Sequence, residues 1–94
     1  FTEKGYTIAR MAKYLNIPLY HLNFYFKEIA KETFTDFKNK KRIQLAIDLI
    51  NDGFLATNTV EYLSIQCGFS SRANFNNAFL KVTGMSLKDY KKSV

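Results

Sequence analysis

The side chains best equipped for chemistry in this chain are Asn23, Arg72, Asn76 and Asn77, and the chemistry they suit is recognition. An Asn amide can bond adenine N6 and N7 together, and an Arg fork can bond guanine O6 and N7. Within 19-LYHLNFYFKEIAKETFTDF-37, helical spacing sets Tyr20, Asn23, Phe24 and Lys27 opposite Leu22 and Phe26. Within 72-RANFNNAFLKVTGMSLKDY-90, the same face carries Arg72, Ala73, Asn76 and Asn77. Phe24 and Ala73 can touch a thymine methyl group. Tyr20, Asn23, Phe24, Arg72, Ala73, Asn76 and Asn77 are therefore the candidate base-contacting residues. A solvated surface would also expose the asparagines, and Phe24 or Tyr20 can instead fold back on a neighbouring helix.

The candidates for phosphate contact are Lys27, Lys38, Lys41 and Lys81; Lys40 points away from Lys38 and Lys41 on a helix. Lys and Arg number 14 against 8 Asp and Glu, a net charge of +6 with a pI near 9.5. Such a surplus suits a polyanionic partner through counterion release, and it equally suits a basic soluble domain. Catalysis finds no support: there is no nucleophile paired with a base, no phosphate-cradling glycine loop and no metal cluster. His21 has no Cys, Asp or Glu at ligand spacing, so neither a metal nor a cofactor is expected. Thr33 with Asp36 and Ser86 with Asp89 are read as helix caps, because the two pairs recur at one place in a repeat.

That repeat organises the chain. Displaced by 53 residues, Leu22 falls on Phe75, Asn23 on Asn76, Phe26 on Phe79, Thr33 on Ser86 and Phe37 on Tyr90. Upstream the displacement is 52, placing Thr7 on Thr59, Leu15 on Cys67 and Ile17 on Phe69. The second copy thus carries one extra residue just after Phe69. Each copy reads as a helix-turn-helix. In the first, Thr7 caps a helix burying Ile8, Met11, Ala12 and Leu15; Asn16 turns; and Pro18 starts a helix over 19–30. That helix is expected to bury Leu19, Leu22, Phe26 and Ile29. In the second, Val60, Leu63, Ser64 and Cys67 form the first face, Gly68 turns, and Phe75, Phe79 and Val82 anchor the next helix.

Between the copies, Ile43, Ala46, Ile47 and Ile50 follow i, i+3, i+4, i+7 spacing, and Gly53 supplies a stop. The fold class expected is all-α, about seven helices: a first subdomain over 1–33, a rigid linker helix over 34–52 and a second subdomain over 53–94. Nine Phe and six Tyr provide core bulk for 94 residues. The lone Cys67 is read as a core residue of a protein kept in a reducing cytoplasm. No apolar run approaches the roughly 20 residues that span a bilayer, and Phe1 in place of Met suggests a piece of a longer protein.

With these elements in place, the chain resembles the DNA-binding region of the AraC/XylS family of bacterial transcription regulators. The resemblance rests on 64-SIQCGFSSRANFNNAFLKVTGMSLKDY-90, with its Gly-Phe, Phe-x-x-x-Phe and Gly-x-Ser steps, and on Arg42, Ala46 and Leu49 in the linker. It covers essentially the whole chain. Departures are Ser64 for the usual Ala, Leu87 for Pro, Lys91 for Arg, Lys31 for Gly and Pro18 for a Ser cap. The resemblance implies double-stranded promoter DNA as partner, one recognition helix per subdomain, and adjacent major-groove segments about one turn, ~34 Å, apart. It implies a structural Arg42 and an unusually apolar first reader, since the family often has Arg where Phe24 stands. It also implies a nucleoid-associated protein whose sensory or dimerisation domain lies outside this chain, with RNA polymerase as a further partner. The alternative is a helical protein-interaction module, docking RNA polymerase for instance, with only non-specific DNA affinity.

Overall fold

The computed structural model describes residues 5–93, with side chains described as far as Lys91. The fold is all-α, and no strand occurs among the described residues. Helix α1 spans Ile8–Leu15, and α2 spans Leu19–Phe24 and runs on as a π-helical turn over Tyr25–Ala30. The long α3 spans Phe34–Asn51 and is followed by the single turn α4, Phe54–Thr57. Then come α5 over Val60–Gln66, α6 over Arg72–Thr83 and α7 over Leu87–Ser93.

Short polar side chains set where these helices begin. Thr7, Thr33, Thr59, Ser71 and Ser86 each accept a bond from the backbone N–H three residues on. Pro18 caps α2 without a side-chain bond, where its fixed φ fits and its missing N–H leaves nothing unmade. Asp36 donates its N–H to the Thr33 cap at the start of α3. Its carboxylate accepts from Lys81 Nζ at 2.9 Å and so ties α3 to α6.

The repeat extends to individual backbone bonds. Ile17 N–H donates to Ala12 O, and Phe69 N–H donates to Ser64 O, both over 3.0 Å. Asn16 and Gly68 turn with φ of 57° and 93° between these bonds. Asn tolerates the left-handed region because its amide can bond locally, and Gly lacks the Cβ that would clash.

The two halves differ in what covers them. Ile43, Ala46, Leu63, Cys67, Phe75 and Phe79 are fully buried in the second core, with Phe69, Ala78 and Leu87 beside them. The first core buries Ala12, Leu22 and Phe26 only, with Ile8, Met11, Phe34 and Phe37 partly covering them. Phe26 meets Phe34 and Phe37 edge-on at 5.6 and 5.1 Å, the geometry aromatic quadrupoles favour.

Four expected anchors are exposed instead. Leu15 is 46% exposed where its equivalent Cys67 is at 0%. Leu15 and Leu19 flank the first turn, and Leu15 lines an apolar groove of about 340 Å³ together with the exposed Ile17 and Tyr25. Ile29 and its equivalent Val82 also face solvent. In α6 the anchoring turn is completed by Ala78 instead of Val82. In the first half the helix over 19–30 is only partly α. A π turn bonds i to i+5, so each residue there advances through a smaller angle than its equivalent in α6.

Candidate nucleic-acid interface

Helix α2 is held by Leu22 and Phe26 on its inner side, which leaves Tyr20, Asn23, Phe24 and Lys27 exposed. Asn23 and Lys27 lie one helical turn apart and line one hollow, joined by Lys31. Phe24, 59% exposed, does not fold into the core. Tyr20 leans edge-on against His21, with ring centroids 4.4 Å apart.

Helix α6 is held by Phe75, Ala78 and Phe79, and Arg72, Ala73, Asn76 and Asn77 face outward. Arg72, Asn76 and Asn77 line one open cleft of about 640 Å³. Lys88 and Lys91 of α7 line the same cleft. These two lysines escaped the sequence reading, although the run 88-KDYKK-92 carried the signal. The amides therefore share one hollow with the cations Arg72, Lys88 and Lys91. This arrangement can accept a base edge while engaging phosphate oxygens beside it.

The expected phosphate-contacting lysines are dispersed. Lys27 is exposed and has no ion-pair partner among the described residues. Lys38 is half-buried: its Nζ donates to Tyr6 O at 3.1 Å and lies 5.8 Å from the Phe34 ring centroid. Burial lowers its pKa, and repulsion from Arg42 adds to that. Lys41 sits 5.6 Å over the Phe37 ring, and Lys81 is paired with Asp36. Lys40, facing elsewhere, pairs with Glu32 at 2.9 Å. Arg72 also has a partner, Glu61, at 2.8 Å.

Arg42 is buried, with its guanidinium carbon 5.6 Å from the Phe69 ring centroid. It clamps α3 to the turn between α5 and α6, so it acts on the position of α6 from behind. Cys67 is fully buried, and burial pushes its thiol up to about 11. Among the described residues no group of His, Cys, Asp or Glu could hold a metal ion. No helix of the described chain is long and apolar enough to cross a membrane.

The helix-turn-helix domain family matches residues 11–93. The chain is also similar in structure to the C-terminal domain of AraT, a response regulator from Geobacillus stearothermophilus. That likeness has a TM-score of 0.79 at 22% identity, over 100% of this chain and 75% of the other. A protein of unknown function from Listeria innocua is similar at a TM-score of 0.71 and 24% identity, over 98% of this chain and 85% of that one. No curated protein matches the chain.

Proposed function

The chain belongs to the AraC-type helix-turn-helix family, and from that premise we propose that it reads duplex DNA sequence-specifically to regulate bacterial transcription. Helices α2 and α6 are the two readers, each in its own segment of major groove. The observation that carries this reading is the one cleft that Arg72, Asn76, Asn77, Lys88 and Lys91 line together. Base contacts are assigned to Tyr20, Asn23 and Phe24 in the first reader. Arg72, Ala73, Asn76 and Asn77 make them in the second. Lys27, Lys38, Lys41 and Lys81 engage phosphates, the last after exchanging Asp36 for a phosphate oxygen.

The chain divides at 1–33, 34–52 and 53–94, with α3 as the spacer. Where the fixed spacing of the two readers falls short of the ~34 Å of one duplex turn, the DNA bends to meet both. The protein acts in the cytoplasm at the nucleoid, under a sensory or dimerisation domain elsewhere in the full protein. It works without cofactor or catalysis. An exposed Phe24 in place of a donor gives the first half of the site an A·T-leaning preference.

In vitro selection with this chain tests the whole reading, half-site spacing included. Enriched sequences should contain two blocks, the one under α2 rich in A·T; a G·C-rich block there would sink the A·T assignment. Affinity should fall steeply as salt rises. A second reading, docking of RNA polymerase, draws on the apolar groove at Leu15, Ile17 and Tyr25. Selection that returns random sequence would favour it.

A further inference from the structure

Glu61 lies in the first turn of α5 and Arg72 opens α6, and their two side chains meet across the helix-turn-helix. Arg72 Nη1 donates to Glu61 Oε1 over 2.8 Å. Both side chains are more than half exposed, on the outer side of the second core. Glu61 accepts from its own backbone N–H, and that bond, followed by the one from Arg72, holds its carboxyl below the usual range.

We propose that Glu61 is a specificity-determining positioning residue, which holds Arg72 by Nη1 and thereby presents the remaining donor edge to guanine. This rests on the DNA-binding reading above. A guanidinium carries five N–H donors in a planar fork. With Nη1 engaged, Nε and Nη2 remain along one edge, a pair that matches guanine O6 and N7. Asn76 and Asn77 line the same cleft as Arg72, so the presented edge and the two amides address one stretch of groove. An unheld arginine on a helix start samples many rotamers and takes a phosphate as readily as a base. The Glu61 carboxylate removes that choice twice over: it fixes the side chain, and it repels any phosphate that approaches the same spot. Affinity for all DNA falls and discrimination rises, the repulsive half of a specificity device.

The test is an anisotropy titration of the chain against duplexes that differ at single positions of the selected site. The Arg72 position is the one whose guanine preference disappears in Arg72→Ala. There Glu61→Gln is expected to cut the guanine preference about tenfold. It should also strengthen binding to unselected duplex severalfold. In the Arg72→Ala background, Glu61→Gln should leave discrimination unchanged, as residues acting through one contact do. Glu61→Ala should behave as Glu61→Gln, and circular dichroism melts check that both variants stay folded. Equal strengthening on every duplex, with the guanine preference intact, would reduce Glu61 to bulk charge and overturn the proposal. So would an Arg72→Ala variant that keeps every base preference. If the unaltered chain selects no sequence at all, the DNA-reading conclusion falls first. If it selects and Asn76→Ala loses selection while Glu61→Gln does not, only the role of Glu61 falls.

Discussion

Lys31 and Gly84, 53 residues apart, end equivalent helices in the same left-handed backbone conformation, with φ of 53° and 80°. The glycine adopts it freely. The lysine holds its Cβ against the following carbonyl, at about 1 kcal/mol or somewhat more. Lys31→Gly should therefore stabilise the chain by about 1 kcal/mol, seen as a melting temperature about 4–8 °C higher. The same change removes a cation from the hollow of Asn23 and Lys27, so DNA affinity should drop as stability rises. A melting temperature that stays put would mean that Lys31 is not strained.

Asp36 and Lys81 give a signature in both pH and salt. The bond from Lys81 holds the Asp36 carboxyl below its ordinary 3.8. A carboxyl depressed on folding adds stability above the unfolded value, and that part is lost as pH falls through the folded one. The melting temperatures of the chain and of Asp36→Asn should differ slightly at neutral pH, begin to close below 3.8 and converge once pH has fallen through the folded value. In binding assays Asp36→Asn releases Lys81, so affinity for every duplex should rise and the salt slope steepen by up to about one ion. A shallower slope would place Lys81 away from phosphate.

Phe24 is a stand-alone test of the first reader. Phe24→Arg puts a fork on an exposed face without touching the core. Repeating the selection with this variant should convert one position of the A·T-leaning block to guanine, by about five- to tenfold. An unchanged block would place Phe24 outside the groove.

Cys67 reports on the second core. With its thiol raised to about 11, almost none is thiolate at pH 8, so a thiol reagent must wait for the core to open. Unfolded chain ionises near pH 9, so stability should begin to decline as pH climbs past that value. Ile43 is fully buried in the same cluster. Ile43→Val costs about 1 kcal/mol, so labelling should run about fivefold faster in the variant. Labelling of the native chain at the rate of unfolded peptide would contradict a closed core.

Much of this was legible in the residues. Caps at Thr7, Thr33 and Ser86 are local chemistry, and short-range rules suffice for them. The repeat located both turns, because Asn16 and Gly68 must each adopt positive φ. What escaped is non-local. Periodicity marks a stripe as apolar but does not say what covers it, so Leu15, Leu19, Ile29 and Val82 were read as anchors and are exposed. The π turn depends on bonds such as Lys31 N–H to Phe26 O, which no spacing rule contains. Asp36 bonds the Thr33 cap as its spacing implies, but the Lys81 partner of its carboxylate lies 45 residues away on α6. Lys88 and Lys91 reach the cleft only through the placement of α7.

Helix α3 carries Phe34 and Phe37 in one core and Ile43 and Ala46 in the other, with only a few residues between the two anchorages. Its length is therefore an angle as well as a distance. One inserted residue between Phe37 and Ile43 would advance the second half by about 1.5 Å and turn it by about 100°. The readers would then face different sides of the duplex. Four inserted residues would nearly restore the phase, about 6 Å farther on. Tolerated lengths of this helix should accordingly come in whole turns, so the register between the two readers is quantised by helical geometry.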